Sequence, residues 1–121
     1  MSSTPPGNAW ENALPQAARE ALAAVLDPAE EVESVAPAVG SSLVLTQHRL
    51  FVVRDGASFR PKTGVRTFEL GSGLAIRIGP ARKRVIIESA AGTINLFVRS
   101  EQLARAESFV AEVRRRMYTD G

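Results

Sequence analysis

Basic side chains are the most concentrated polar chemistry in this sequence. They form two groups, one after Asp55-Gly56 and one in and beside a later turn: Arg60, Lys62 and Arg66, and Arg82, Lys83 and Arg84. A cationic rim of this kind attracts anionic lipid headgroups, nucleic acid or an acidic protein face. The sequence also leaves open the alternative that these residues are solvated turn charges.

The other reactive residue types do not assemble into a catalytic or metal site. His48 is the only histidine, and no third group is evident that would orient it as a base for Thr46. Glu69 and Glu88 lie far apart in sequence and suggest no acid–base pair. The Gly-Ser-Gly stretch at 71–73 precedes a strand and is not followed by the Lys of a phosphate loop. Since the chain has no cysteine and no ligand cluster with metal spacing, we predict no enzyme activity, no metal and no cofactor.

Length and composition indicate one ordinary globular domain. The chain has 121 residues, of which 45% are hydrophobic and 23% charged, with a net charge of +2. Residues 1–8 are polar and rich in Ser, Thr and Pro, so we predict a disordered lead followed by one domain over 9–121. No apolar run approaches the ~20 residues of a membrane-spanning helix, and the N-terminus lacks the features of a signal peptide. The expected location is the cytoplasm.

Helical periodicity is found at both ends of the chain. The first stretch, about 13–26, has Asn12 as a candidate N-cap and Trp10 as a candidate staple. Its apolar stripe consists of Leu14, Ala18, Ala21, Leu22 and Val25. The last stretch has Ser100 as the expected N-cap. Its stripe consists of Leu103, Ala106, Val110, Val113 and Met117, with Phe109 beside it.

Between the helices the hydrophobic period changes to two, which predicts seven short strands. They are expected near 31–37, 42–46, 50–54, 66–70, 74–79, 84–88 and 93–98, separated by turn residues. The fold class is therefore mainly β with flanking helices, an α+β domain built as a small antiparallel barrel or sandwich. Because apolar residues of paired strands must share a face, Ile78 should oppose Val85 and Ile87 should oppose Ile94.

This register has two consequences for the surface. Ile86 and Phe97 must point away from the core, where they form an exposed apolar patch or are covered. The hairpin of strands 42–46 and 50–54 is apolar on both faces, so one face needs a cover, and the N-terminal helix is the obvious candidate.

The order of elements resembles the pleckstrin-homology (PH) superfold, in particular bacterial PH-like domains and the GRAM group. The local match is the stretch 42–53, SLVLTQHRLFVV, where an apolar strand ends in Leu-Thr, turns and restarts with Arg-Leu. The stretch 28–32, PAEEV, is similar to the entry of the first strand in those domains. The resemblance implies a PH-like seven-stranded barrel or sandwich, closed by a C-terminal helix, that binds lipids, peptides or proteins without catalysis and sometimes self-associates. The loop at 37–41 lacks the cations of phosphoinositide-binding members, so that activity is not implied.

The functional hypothesis is a non-catalytic module that binds a protein partner, or itself, through exposed strand surface and basic loops. The alternative is a peripheral binder of anionic membrane surfaces. Nucleic acid is disfavoured because Phe97 is the only outward aromatic on the strands. The candidate binding residues are Arg60, Lys62, Arg66, Arg82, Lys83, Arg84, Ile86 and Phe97.

Overall fold

The structure is a computed structural model that describes residues 14, 16–54, 64–71, 73–81 and 83–119. The strands are β1 (Val32–Ala38), β2 (Ser41–Thr46), β3 (Arg49–Arg54), β4 (Val65–Glu69), β5 (Ala75–Ile78), β6 (Arg84–Ser89) and β7 (Gly92–Phe97). Helix α1 (Gln16–Ala23) precedes them, and a 3-10 turn (Ser100–Gln102) and helix α2 (Leu103–Thr119) follow. Within these ranges, neither helix is long and apolar enough to cross a bilayer. The predicted lead over 1–8, Trp10 and Asn12 lie outside the described residues.

The strands form two antiparallel sheets, which confirms the mainly β, α+β class. One sheet has four strands in the order β1-β2-β3-β4, and the other has three in the order β5-β6-β7. Successive strands pair throughout each sheet. The two sheets do not join into a closed barrel, so the architecture is that of two packed sheets.

The predicted hairpin registers are confirmed. Ile78 pairs with Val85, and Ile87 pairs with Ile94. The β6–β7 connection is tighter than expected because pairing continues to Ser89 and Gly92, leaving a two-residue turn. Gly92 makes this turn with a φ of +133°, a backbone region that favours glycine.

The main core lies between the two sheets and helix α2. Its helical part consists of the buried residues Ala106, Phe109, Val110 and Val113. These residues follow the predicted stripe, with Met117 partly buried at its end. The helix start differs from the prediction: helical structure already begins at Ser100, and Arg99 is the N-cap. The Arg99 main-chain N–H donates to Gln102 Oε1 over 3.0 Å, which is the glutamine's part of a capping box.

A second core lies on the other face of the four-stranded sheet. Val35, Val44, Phe51 and Val53 form the sheet side of this cluster. Leu14, Ala18 and Leu22 from α1 and the residues before it form the helix side. The N-terminal helix therefore covers the double-sided hairpin, as predicted. Full burial of an aliphatic side chain stabilises by about 2 kcal/mol, so this short helix is held by packing more than by its own propensity.

Candidate functional site

Only part of the predicted basic group falls within the described residues. Arg60, Lys62 and Arg82 lie outside them. Arg66 is exposed near the start of β4, Lys83 is exposed in the β5–β6 turn, and Arg84 is half-buried at the start of β6.

The described members of this group do not form one site. Arg66 lines a groove together with Ser89, Ala90 and Ala91 of the β6–β7 turn. Arg84 lies at the opposite end of β6, about 16 Å away at the usual rise of an extended strand. Arg66 therefore belongs to a different surface from Lys83 and Arg84.

Ile86 is covered, which is one of the two alternatives that the sequence left open. It lies on the face of β6 opposite the core, as expected, and pairs with Arg77 and Asn95 on the neighbouring strands. It is nevertheless only 5% exposed. A Cβ built at Gly79 would stand 3.2 Å from Ile86 Cδ1, so the isoleucine fills the space that this glycine leaves. The aliphatic stems of polar neighbours cover apolar surface in such positions, and Ile86 adds no exposed patch beside Phe97.

Phe97 is the most exposed large apolar side chain in the described ranges. Its exposed fraction is 62%, and that of Val39, in the β1–β2 turn, is 46%. The Val39 main-chain N–H donates to the Phe97 carbonyl oxygen over 2.8 Å, which brings the two residues side by side. Gly40 follows with a φ of +75° and lets the turn reverse directly after Val39. One exposed apolar residue from each sheet therefore meets at the same corner.

Cationic side chains border this apolar corner. Arg84 is the cross-strand partner of Phe97. The Val98 main-chain N–H donates to the Lys83 carbonyl over 2.8 Å, so Lys83 and Val98 form a hydrogen-bonded pair. The adjacent pair, Arg84 and Phe97, is therefore a non-hydrogen-bonded pair, in which opposing side chains are closest. Lys83 directly precedes Arg84, Arg99 follows Phe97 by two residues, and both are exposed. We call Val39, Lys83, Arg84, Phe97 and Arg99 the Phe97 surface.

The groove beside Arg66 is the second candidate surface, and we call it the β4 groove. Its volume is about 360 Å³. It lies where the edge of β4 faces the start of β5 and the β6–β7 turn. Its lining residues are Arg66, Thr67, Phe68, Glu69, Gly73, Leu74, Ser89, Ala90 and Ala91. The nearly buried side chains of Phe68 and Leu74, both part of the main core, supply its apolar floor.

A buried charge network at the other end of the four-stranded sheet was not predicted. The Glu30 carboxylate has a side-chain exposure of only 1%. It accepts hydrogen bonds from both Arg49 Nε (2.9 Å) and Arg49 Nη2, and from the Thr46 hydroxyl (2.7 Å). The Asp27 main-chain N–H donates to the same carboxylate over 3.2 Å. We call Asp27, Glu30, Thr46 and Arg49 the β2–β3 clasp.

The clasp joins three parts of the chain. Arg49 Nη2 also donates to the Val25 carbonyl just after α1 over 3.1 Å, and its guanidinium lies 4.8 Å from the centre of the Phe51 ring. The hydrogen bonds and charge of Arg49, helped by Thr46 and Asp27, lower the pKa of Glu30 to about 2, against a desolvation that raises it. The carboxylate is thus held ionised and fully bonded, which is the arrangement of a structural ion pair and not of a proton-transfer group.

The sequence placed Glu30, Thr46 and Arg49 in the PAEEV and SLVLTQHRLFVV stretches but did not show that they meet. Glu30 stands beside Glu31 and close to Glu33 in an acidic stretch, and nothing in their order shows which carboxylate is buried. The signal that could have indicated the ion pair is Arg49, which begins a strand of apolar residues. A cation beside a buried strand needs a partner.

The Thr46 side chain is engaged in hydrogen bonds within the clasp and the β2–β3 turn. His48 is exposed in the β2–β3 turn. The Thr46 oxygen accepts the main-chain N–H groups of His48 (3.2 Å) and Arg49 (3.0 Å) while its hydroxyl donates to Glu30. In the part of the chain that the structure describes, no three His, Asp or Glu side chains come together as a metal site.

Comparison with known proteins gives no match: no family model, curated protein sequence or solved structure matches the chain.

Proposed function

We propose that this chain is a non-catalytic, PH-like interaction module that binds a protein partner, a second copy of itself included, through the Phe97 surface. The observation that carries the proposal is the exposed pair of Phe97 and Val39 at one corner of the two sheets. Elsewhere in the described ranges, Val25 is the third large apolar side chain with comparable exposure, and it stands apart from this corner, just after α1.

The composition of the Phe97 surface favours protein recognition. Aromatic residues and arginine are enriched at the centres of protein interfaces, where they supply most of the binding energy. Phe97 offers a rigid apolar anchor, and Lys83, Arg84 and Arg99 around it favour an acidic partner face and speed its approach. Because Phe97 is not part of either core, its side chain is not needed to build the fold and is available for binding.

The architecture supports the PH-like part of the proposal. The resemblance implies seven antiparallel strands closed by a C-terminal helix, and the described chain has seven strands in two sheets with such a helix packed against the core. The stretch 42–53 that carries the resemblance forms the β2–β3 hairpin, the part of the chain buried on both faces. Thr46 and Arg49 of this motif belong to the clasp at the hairpin turn, which gives both residues a structural role.

Site-specific photocrosslinking tests the proposed interface. A benzoylphenylalanine placed at position 97 should give discrete protein adducts in the native cell, and the charge reversal Arg84→Glu should reduce them at least threefold. The matched control places the same group at Ala111, which is exposed on α2, and should give no discrete adduct. Equal adducts from both positions, or none from position 97, would contradict the proposal. Sedimentation velocity over a concentration series identifies a second copy as the partner.

An anionic membrane surface is the second candidate, because an exposed aromatic ring beside cations is also suited to the bilayer interface. Co-sedimentation with vesicles containing phosphatidylserine distinguishes the two. Binding that falls steeply in Phe97→Ser and in Arg84→Glu would favour the membrane. Vesicles that fail to sediment the wild-type chain at low salt would exclude this second candidate and leave the protein interface.

A further inference from the structure

The outer edge of β4 presents unpaired main-chain groups. The Arg54 N–H donates to the Gly64 carbonyl, and the Leu70 N–H donates to the His48 carbonyl. In an antiparallel pair such bonds recur at every second residue, so Arg66 and Phe68 bond to β3. The N–H and C=O groups of Val65, Thr67 and Glu69 therefore point away from the sheet, and the described residues offer them no hydrogen-bond partner.

The β4 groove lies beside this edge. β4 is the last strand of its sheet, and the groove separates it from the β6–β7 turn. Arg66 and Phe68, two residues apart, point to the same face of β4 and both line the groove. Phe68 and Leu74 form its apolar floor, and no ion pair or hydrogen bond joins Arg66 to another described residue.

We propose that the β4 groove binds an extended peptide segment, which adds to β4 as a fifth strand and carries one apolar and one acidic residue separated by a single residue. Strand addition satisfies the outward main-chain groups of Val65, Thr67 and Glu69. The spacing follows from the period of a strand: side chains that meet Phe68 and Arg66 on one face must be two positions apart in the ligand. The apolar side chain lies on the floor of Phe68 and Leu74, and the acidic one lies beside Arg66.

A second copy of this chain fits the same edge less well. In the two-fold antiparallel pairing centred on Thr67, Arg66 of each copy would stand opposite Phe68 of the other. A cation would then face the apolar floor, whereas the acidic-and-apolar ligand matches both positions. The site is also distinct from the Phe97 surface, since it lies at the opposite end of β6.

Peptide titration followed by amide NMR tests this proposal. The probe is a blocked seven-residue peptide of threonine that carries a glutamate and a leucine two positions apart. Its matched control has the same composition with glutamate and leucine adjacent, so that they fall on opposite faces of a strand. The first peptide should protect the amides of Val65, Thr67 and Glu69 from exchange, and the control should bind at least threefold more weakly. Equal affinity of the two peptides, or shifts confined to residues outside the groove, would overturn the proposal.

Two variants sharpen the test. Thr67→Pro removes an outward N–H at a strand edge, where proline is tolerated, and should weaken binding about tenfold. Arg66→Glu should weaken binding about threefold or more, and replacing the peptide's glutamate by lysine should restore it.

Arg84→Glu, which alters the Phe97 surface, should leave the peptide affinity unchanged, so the proposals for the two surfaces are tested separately. A peptide affinity that follows Arg84 and not Arg66 would refute the groove assignment. Dimerisation through β4 that excludes the peptide would refute it as well.

Discussion

Phe51 and Phe97 occupy comparable positions on the two sheets and have opposite surroundings. Each lies on a sheet face turned away from the main core. Phe51 is fully buried, whereas Phe97 has an exposed fraction of 62%. Helix α1 covers the face that contains Phe51, and the clasp arginine lies over its ring. Around Phe97 lie its partner Arg84 and the exposed Val39, and the same face carries the exposed pair Arg77–Glu88 and the buried Ile86.

The comparison separates residues that build the fold from residues that are available for binding. The four-stranded sheet uses both faces of its central strands for stability, and the buried carboxylate beside those strands is held in the fully bonded clasp. The three-stranded sheet needs only its inner face for the core. Its outer face can therefore carry an aromatic residue and cations whose removal costs the fold little.

The largest expected contrast comes from truncating each phenylalanine. Phe51→Ala should lower the free energy of unfolding by about 4 kcal/mol, because it removes a fully buried ring and leaves a cavity. Phe97→Ala should change it by less than about 0.5 kcal/mol, since most of the ring is already solvated. Urea unfolding followed by circular dichroism measures both. Losses of similar size would show that the outer face of the three-stranded sheet is also part of the structural core.

The next contrast concerns the clasp. Near neutral pH, Glu30→Gln should lower the free energy of unfolding by about 2 kcal/mol, because Arg49 loses its buried counter-charge while keeping some solvent contact. Since the folded pKa of Glu30 is about 2 and the usual pKa of a glutamate is 4.5, this stabilisation is complete above pH 4.5. It is lost as the pH falls from there toward 2. Urea unfolding of wild type and variant at pH 7, 4.5 and 3 should therefore give a difference that shrinks with acidification. A difference independent of pH would contradict the ionised clasp.

The smallest expected effect is at the exposed ion pair of the three-stranded sheet. Arg77 and Glu88 are 3.6 Å apart, and about half of each side chain is exposed. Arg77→Gln, which keeps part of the aliphatic stem opposite Ile86, should cost less than about 0.5 kcal/mol, because solvent screens such pairs. Arg49→Gln is the matched substitution in the clasp and should cost several times more under the same urea conditions. Equal costs for the two arginines would remove the distinction between the two sheets.

Much of the architecture could be predicted because the hydrophobic pattern constrains it directly. Alternation in the last three strands left one register that keeps Ile78, Val85, Ile87 and Ile94 on a single face, and that register is observed. The hairpin with apolar residues on both faces required a cover, and the chain supplied one amphipathic helix before it.

The surface could be predicted only in part, because it depends on contacts that no period specifies. Alternation gave the outward direction of Ile86 correctly but could not show that a glycine beside it leaves room for burial. Nor could it place Val39 next to Phe97, since these residues are far apart in sequence and meet through one main-chain hydrogen bond between the sheets. The pairing of Glu30 with Arg49 could not be predicted for the same reason, because these residues are also far apart in sequence.

That hydrogen bond from Val39 to Phe97 also has a mechanical meaning. Among the described residues, it is the single main-chain bond that ties one sheet directly to the other, and it closes the corner remote from the β4 groove. The two sheets are therefore connected by main-chain hydrogen bonding at this corner and separated by the groove at the β4 edge. A ligand bound across Val39 and Phe97 would stabilise the connected corner. A ligand bound along β4 would instead fix the distance between β4 and the β6–β7 turn.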